Sequence, residues 1–106
     1  MSKKINKFAF QNITSGFTTK VAVGQCSSAT VQVDCTGTCS VTIEGRTNPT
    51  SDEFYPIRVV NYNTFTMVDT IANAGNYLVV VDGLYDIKIT ATTISNDATI
   101  YVTMEG

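Results

Sequence analysis

The chain has 106 residues, 43% of them hydrophobic, only 15% charged, with a net charge of −2 and no histidine. That length makes one domain with one modest core, and the low charge leaves Thr, Ser and Asn to supply the polar surface. An acidic pI near 4.8 and no basic face exclude a nucleic-acid backbone as the expected partner.

Met1-Ser2-Lys3-Lys4 is basic, but Asn6 and Lys7 interrupt the apolar residues that follow, so no signal peptide is expected. No stretch approaches the roughly 20 apolar residues of a membrane span. The expectation is a protein made in a cytoplasm, with no membrane partner. Lys3, Lys4 and Lys7 read as a solvated terminus or a short arm that docks on an acidic neighbour.

Residues 1–16 form either an N-terminal arm or a short edge strand, since Phe8 and Phe10 alternate with Ala9 and Gln11 before Ser15-Gly16. A β-sandwich domain is expected over 17–106. Phe17 to Val23 is its first strand, ended by Gly24. Ala29, Val31, Val33 and Cys35 alternate with Thr30, Gln32, Asp34 and Thr36, a period of two with one wet face. Thr36-Gly37-Thr38 then links to Cys39, Val41 and Ile43, a spacing that predicts a hairpin.

Arg46 to Glu53 is a polar loop rich in turn residues and the longest candidate for a ligand-facing segment. A short strand is expected over 57–61, and 65–74 is the one place where a short helix fits. Tyr77 to Val81 is nearly continuous apolar, the pattern of a strand buried on both faces or lying in an interface. Asp82-Gly83 reads as a tight turn. Ile87, Ile89 and Ala91 alternate in the next strand, and Ile100, Val102 and Met104 in the last, after a turn at Ser95-Asn96-Asp97. These elements predict an all-β fold: one antiparallel sandwich, jelly-roll or immunoglobulin-like, of seven to eight strands.

The hairpin reading places Cys35 and Cys39 opposite each other, with Cα atoms about 5 Å apart, within reach of a disulfide. Against that, a reducing cytoplasm favours three free thiols, Cys26 included. A C-x8-C-x3-C spacing without histidine supplies no fourth metal ligand. No general base stands beside a nucleophile, and Asp52-Glu53 reads as a solvated loop tip. Asp82 and Asp86 read as turn residues. No catalytic residue, metal or cofactor is expected. Tyr55 and Tyr62 border loops and are candidates to stack on a sugar, and Tyr101, on the polar parity of its strand, suits a subunit interface.

Val41-Thr42-Ile43-Glu44-Gly45-Arg46, followed by a loop and Tyr55-Pro56-Ile57, resembles a pattern of small phage and prophage virion proteins. Ile71, Gly75, Tyr77, Val79, Val81, Gly83 and Leu84 continue it. Ile87-Lys88-Ile89-Thr90-Ala91 and then Ala98, Ile100 and Val102 complete it. The resemblance spans about residues 39–104. It implies a β-sandwich in a virion, a head decoration, head-fibre, tail or baseplate component, and brings no catalytic residues. The leading expectation is therefore a non-enzymatic structural protein that forms a homo-oligomer and attaches to capsid or tail proteins. The alternative is a carbohydrate- or receptor-binding module of a fibre, facing a host surface glycan through Tyr55, Tyr62 and loop 46–54 on one concave patch.

Overall fold

A computed structural model describes residues 5–106; Lys3 and Lys4, two of the three lysines of the expected docking arm, lie outside the described residues. The strands are β1 (Ile5–Ile13), β2 (Phe17–Ala22), β3 (Ser28–Cys35), β4 (Cys39–Arg46), β5 (Tyr55–Pro56), β6 (Val59–Asn61), β7 (Met67–Val68), β8 (Gly75–Val80), β9 (Asp86–Ile94) and β10 (Ala98–Glu105). The count rises from the expected seven to eight because the 55–68 region holds three strands of two or three residues each. No helix forms at 65–74: β7, the exposed residues after it and a bridge at Ile71 occupy that stretch.

Two antiparallel sheets result, one ordered β1-β10-β3-β8-β6-β7 and the other β2-β9-β4-β5. The pairings nest about the 47–54 loop: β4 with β5, β3 with β8, β2 with β9, β1 with β10. A long two-stranded ribbon rolled up on itself gives this order, which is a jelly roll rather than an immunoglobulin fold.

Alternation decides which residues enter the sandwich. Val31 and Val33 on β3, Ile87 and Ile89 on β9, and Ile100 and Val102 on β10 are all fully buried, as their period-two pattern predicts. Two bulges keep the pattern in step with the core. Asn12, with φ 55°, sits in the register shift between Phe10 and Ile13, so both of those side chains turn inward. On β9 the register slips opposite Ser40 and Val41. Ile94 thereby rejoins the core three residues after Ala91, and the Thr92 hydroxyl bonds Ser40.

The expected hairpin between β3 and β4 is not formed. These strands lie in different sheets, and Thr36-Gly37-Thr38 is an arch that crosses between them. It stacks on the 95–97 turn, which also crosses: the Thr38 amide donates to Ser95 Oγ at 2.7 Å and the Ser95 amide to the Thr38 carbonyl at 3.0 Å. A Cβ on Gly37 would lie 2.1 Å from Ser95 Oγ, so only glycine lets the two arches meet this closely. The Asp82-Gly83 turn likewise carries the chain from one sheet to the other.

Tyr77 to Val81 is not buried on both faces. Tyr77, Val79 and Val81 are in the core, whereas Val80 is 61% exposed on the outer face of the six-stranded sheet.

Candidate functional site

The 47–54 loop is held by the residues that flank it. Arg46 and Asp86 are cross-strand partners on β4 and β9. The guanidinium makes a two-pronged pair with the carboxylate, Nε to Oδ1 at 2.8 Å and Nη2 to Oδ2 at 3.0 Å, and Nη1 donates to the Ser51 carbonyl. The pair is largely shielded from water, and the Asp86 carboxylate, first among several contributions, raises the Arg46 pKa further. Asp86 is therefore an anchor for the loop and not the turn residue its position beside Asp82-Gly83 suggested.

Within the loop, Asn48 Oδ1 accepts from both the amide and the hydroxyl of Thr50, and Ser51 Oγ accepts from the Glu53 amide, local turns of the kind Asn and Ser form. Phe54 closes the loop back over the four-stranded sheet. Its ring lies 4.6 Å from the Arg46 guanidinium carbon, 4.9 Å from Lys88 Nζ and 5.5 Å from Lys20 Nζ. Lys20 and Lys88 are directly paired across β2 and β9, an unfavourable like-charge pair. Glu44, 3.5 Å from Lys88 Nζ, and the face of Phe54 offset it.

Beside this braced loop runs a groove of about 310 Å³, lined by Gly45, Arg46, Asn48, Glu53, Tyr55, Ile57 and Leu84 among others. Tyr55 lies in it, 67% exposed. Tyr62 does not. It lies across the outer face of the other sheet, where its hydroxyl meets Thr30 Oγ1 at 3.2 Å. There it lines a separate cleft of about 610 Å³ with Asn61, Asn63, Asn73 and Asn76. The single concave patch expected for Tyr55, Tyr62 and loop 46–54 is thus two clefts, because β5 and β6, consecutive in the chain, belong to different sheets.

Tyr101 stands between Ala9 and Gln32 in the ladder, 37% exposed on the outer face of the six-stranded sheet. The same face carries the row Thr30, Leu78, Val60, Met67, with Val80 beside it. Phe65, at the tip of the β6–β7 hairpin, is 81% exposed with φ 57°.

Cys26, Cys35 and Cys39 are free thiols, so the Cys35–Cys39 bridge is not formed. The two are not ladder partners. They stand at the two ends of the arch, close enough for the thiols to hydrogen-bond, and burial, followed by that contact, pushes the Cys39 thiol up to about 12. Among the described residues no group of three or more Cys, Asp and Glu side chains is placed to hold a metal ion. No helix among them is long and apolar enough to cross a membrane.

The sequence marked the loop and Tyr55 but not the Arg46–Asp86 anchor. The residues are 40 apart, and the available signal was a charged residue ending each of two strongly alternating strands.

These features define a two-sheet jelly roll with surface clefts on both sheets, an apolar patch on the outer face of the larger sheet and a braced loop. No protein-family model matches the chain, and no curated protein sequence matches it. Among solved structures, the chain is similar to the SPBc2 prophage-derived protein YomS, with a TM-score of 0.81 at 16% identity over 97% of this chain and 96% of that one. It is similar to the PBSX exported protein XepA with a TM-score of 0.79 at 16% identity, covering 96% of this chain but only 38% of XepA. The periplasmic g-type lysozyme inhibitor PliG of Aeromonas hydrophila matches with a TM-score of 0.51 at 6% identity, over 98% of this chain and 86% of that one. At these identities the likeness is one of fold.

Proposed function

We propose that this chain is a non-enzymatic structural protein of a phage or prophage that self-associates and attaches to a virion surface, as a capsid decoration, fibre or tail component. The observation that carries the reading is the end-to-end match of the fold to a prophage-derived protein, 97% of one chain on 96% of the other. The XepA match shows the same fold spanning 38% of a longer exported protein.

The outer face of the six-stranded sheet supplies the means. Leu78, Val60 and Met67 stand side by side across three strands, with Val80 and Phe65 exposed beside them. Six strands at about 4.8 Å spacing and roughly 20 Å length present a face on the order of 600 Å², close to the roughly 800 Å² per partner of a standard interface. Phe65 and Met67 are of the residue types enriched at an interface centre, and the exposed Arg58–Asp69 ion pair, 2.9 Å apart, borders them at the sheet edge. The protein would be made in the host cytoplasm and reside in the assembled particle.

Size-exclusion chromatography with light scattering, together with co-sedimentation with purified capsids and tails, tests this. The expected result is an oligomer that sediments with one of the two particles. A strict monomer at the highest attainable concentration, with no particle binding, overturns the reading.

A further inference from the structure

The groove beside the 47–54 loop exists because position 45 has no side chain. Gly45 is buried in β4, and a Cβ there would lie 2.6 Å from Ile57 Cδ1 and 2.9 Å from Leu84 Cδ1. Without it, those side chains settle against the strand and form an apolar floor beside Pro56. Tyr55 is the ladder partner of Gly45, so its parity is that of the core-facing residues of β4. It is nevertheless 67% exposed, because the sandwich is open at this corner. The result is an aromatic ring left in water beside an apolar floor.

The rim is polar and held in place. Asn48 Oδ1 is occupied by two donors from Thr50, which fixes the amide orientation and leaves Nδ2 as that side chain's remaining donor. Glu53, whose amide is held by Ser51 Oγ, contributes only acceptors when ionised. Thr47 and Ser51 complete the rim.

Charge narrows the ligand. Arg46 lines the groove, but its charge is matched by Asp86 at 2.8 Å, so it has little left with which to draw in an anion, and Glu53 would oppose one. A cation would meet a single exposed carboxylate, one ring and a neighbouring guanidinium, which is no aromatic cage. An apolar floor, one open ring and a donor and acceptor set along a pre-organised rim suit an uncharged ligand with one C–H face and several hydroxyls. The geometry points to this groove as a binding site for a neutral saccharide: one pyranose ring packs its C–H face on Tyr55, and its hydroxyls meet Asn48 and Glu53. This assignment is independent of the virion reading, since the groove lies on the smaller sheet and not on the apolar face of the larger one.

The experiment titrates the full chain with maltose, lactose and diacetylchitobiose, neutral disaccharides that present glucose, galactose and N-acetylglucosamine, and follows backbone amide resonances. The expected result is saturable shifts with at least one sugar, confined to residues 45–57 and 84. Tyr55→Ala should weaken binding roughly tenfold, the loss of one stacked ring, Tyr55→Phe should retain it, and Glu53→Gln should weaken it. Tyr62→Ala, in the other cleft, should leave it unchanged. Tyr55 is exposed, so its replacement leaves the fold intact, and an unchanged amide spectrum verifies this. The inference is overturned by no saturable shift with any of the three sugars, by shifts at residues 61–76 instead, or by Tyr55→Ala binding as tightly as the parent. The oligomeric state of Tyr55→Ala is measured alongside; it tests assembly separately and is expected to match the parent.

Discussion

Cys39 is 2% exposed, and burial, with the Cys35 thiol beside it, raises its pKa from 9.0 to about 12. An unfolded chain releases that proton near pH 9 and the folded one near 12. Between those values the unfolded state binds fewer protons, so stability falls as pH rises across this window and is independent of Cys39 below it. Burial raises the Tyr77 phenol in the same direction. Urea midpoints measured from neutral pH into this range should decline, and Cys39→Ala should flatten the decline; an undiminished slope would assign it to other groups. Phe65 makes an opposite kind of prediction. Its φ of 57° and 81% exposure mean that it carries left-handed strain, about 1 kcal/mol for an L-residue, without burial to offset it. Phe65→Gly should be neutral to about 1 kcal/mol more stable in chemical denaturation, the gain reduced by the greater freedom of glycine in the unfolded chain, while self-association weakens. At position 45 the floor of the groove sets the outcome. Gly45→Ala drives a methyl into the flexible ends of Ile57 and Leu84, so the expected stability loss is about 1 kcal/mol, with saccharide binding lost because those side chains move into the groove.

At the scale of elements, the 47–54 loop behaves as a braced part of the sheet. Arg46 joins β4, β9 and the loop through Asp86 and the Ser51 carbonyl. Arg46→Ala leaves a carboxylate that is 6% exposed without its counter-charge. The expectation is a lower melting temperature and faster amide exchange at Thr50 and Glu53, both of whose amides are held by loop side chains. Unchanged exchange there would mean that Phe54 and the Asn48 turn suffice. In the core strands Ile89 on β9 is fully buried between its neighbours Thr19 and Ile43 in the ladder, and Ile89→Ala should cost about 2–5 kcal/mol in denaturant titration. The strand positions and inward faces of β3, β9 and β10 were legible in the sequence because alternation reports directly which side chains leave water. The strands of two and three residues in 55–68 were not, because alternation needs a longer run to register. Nor was the full length of β1, whose Asn12 bulge breaks the period.

For the whole molecule, the proposed self-association rests on the apolar patch of Leu78, Val80, Val60 and Met67 on the outer face of the six-stranded sheet. Lysine at Val80 or Met67, each 61% exposed, adds charge without touching the core. Val80→Lys and Met67→Lys should leave the denaturation midpoint within about 0.5 kcal/mol of the parent and shift the light-scattering mass toward the monomer. An unchanged mass in both variants would move the proposed interface elsewhere, the next candidate being the outer edge of β1, which has no neighbouring strand among the described residues.

The sequence by itself determined the all-β class, the inward set of Val, Ile and Ala residues, the turns, and the loop with Tyr55 at its end. All of these follow from local alternation and turn chemistry. Only the tertiary structure decided which sheet each strand joins. A three-residue link such as Thr36-Gly37-Thr38 fits either a hairpin or an arch, and the choice rests on packing between segments 57 residues apart, where Thr38 meets Ser95. That same long-range choice separated Cys35 from its expected ladder partner and put Tyr55 and Tyr62 on different sheets. It also set Arg46 against Asp86, 40 positions away, and brought Leu84 beside Gly45 to form the floor of the groove.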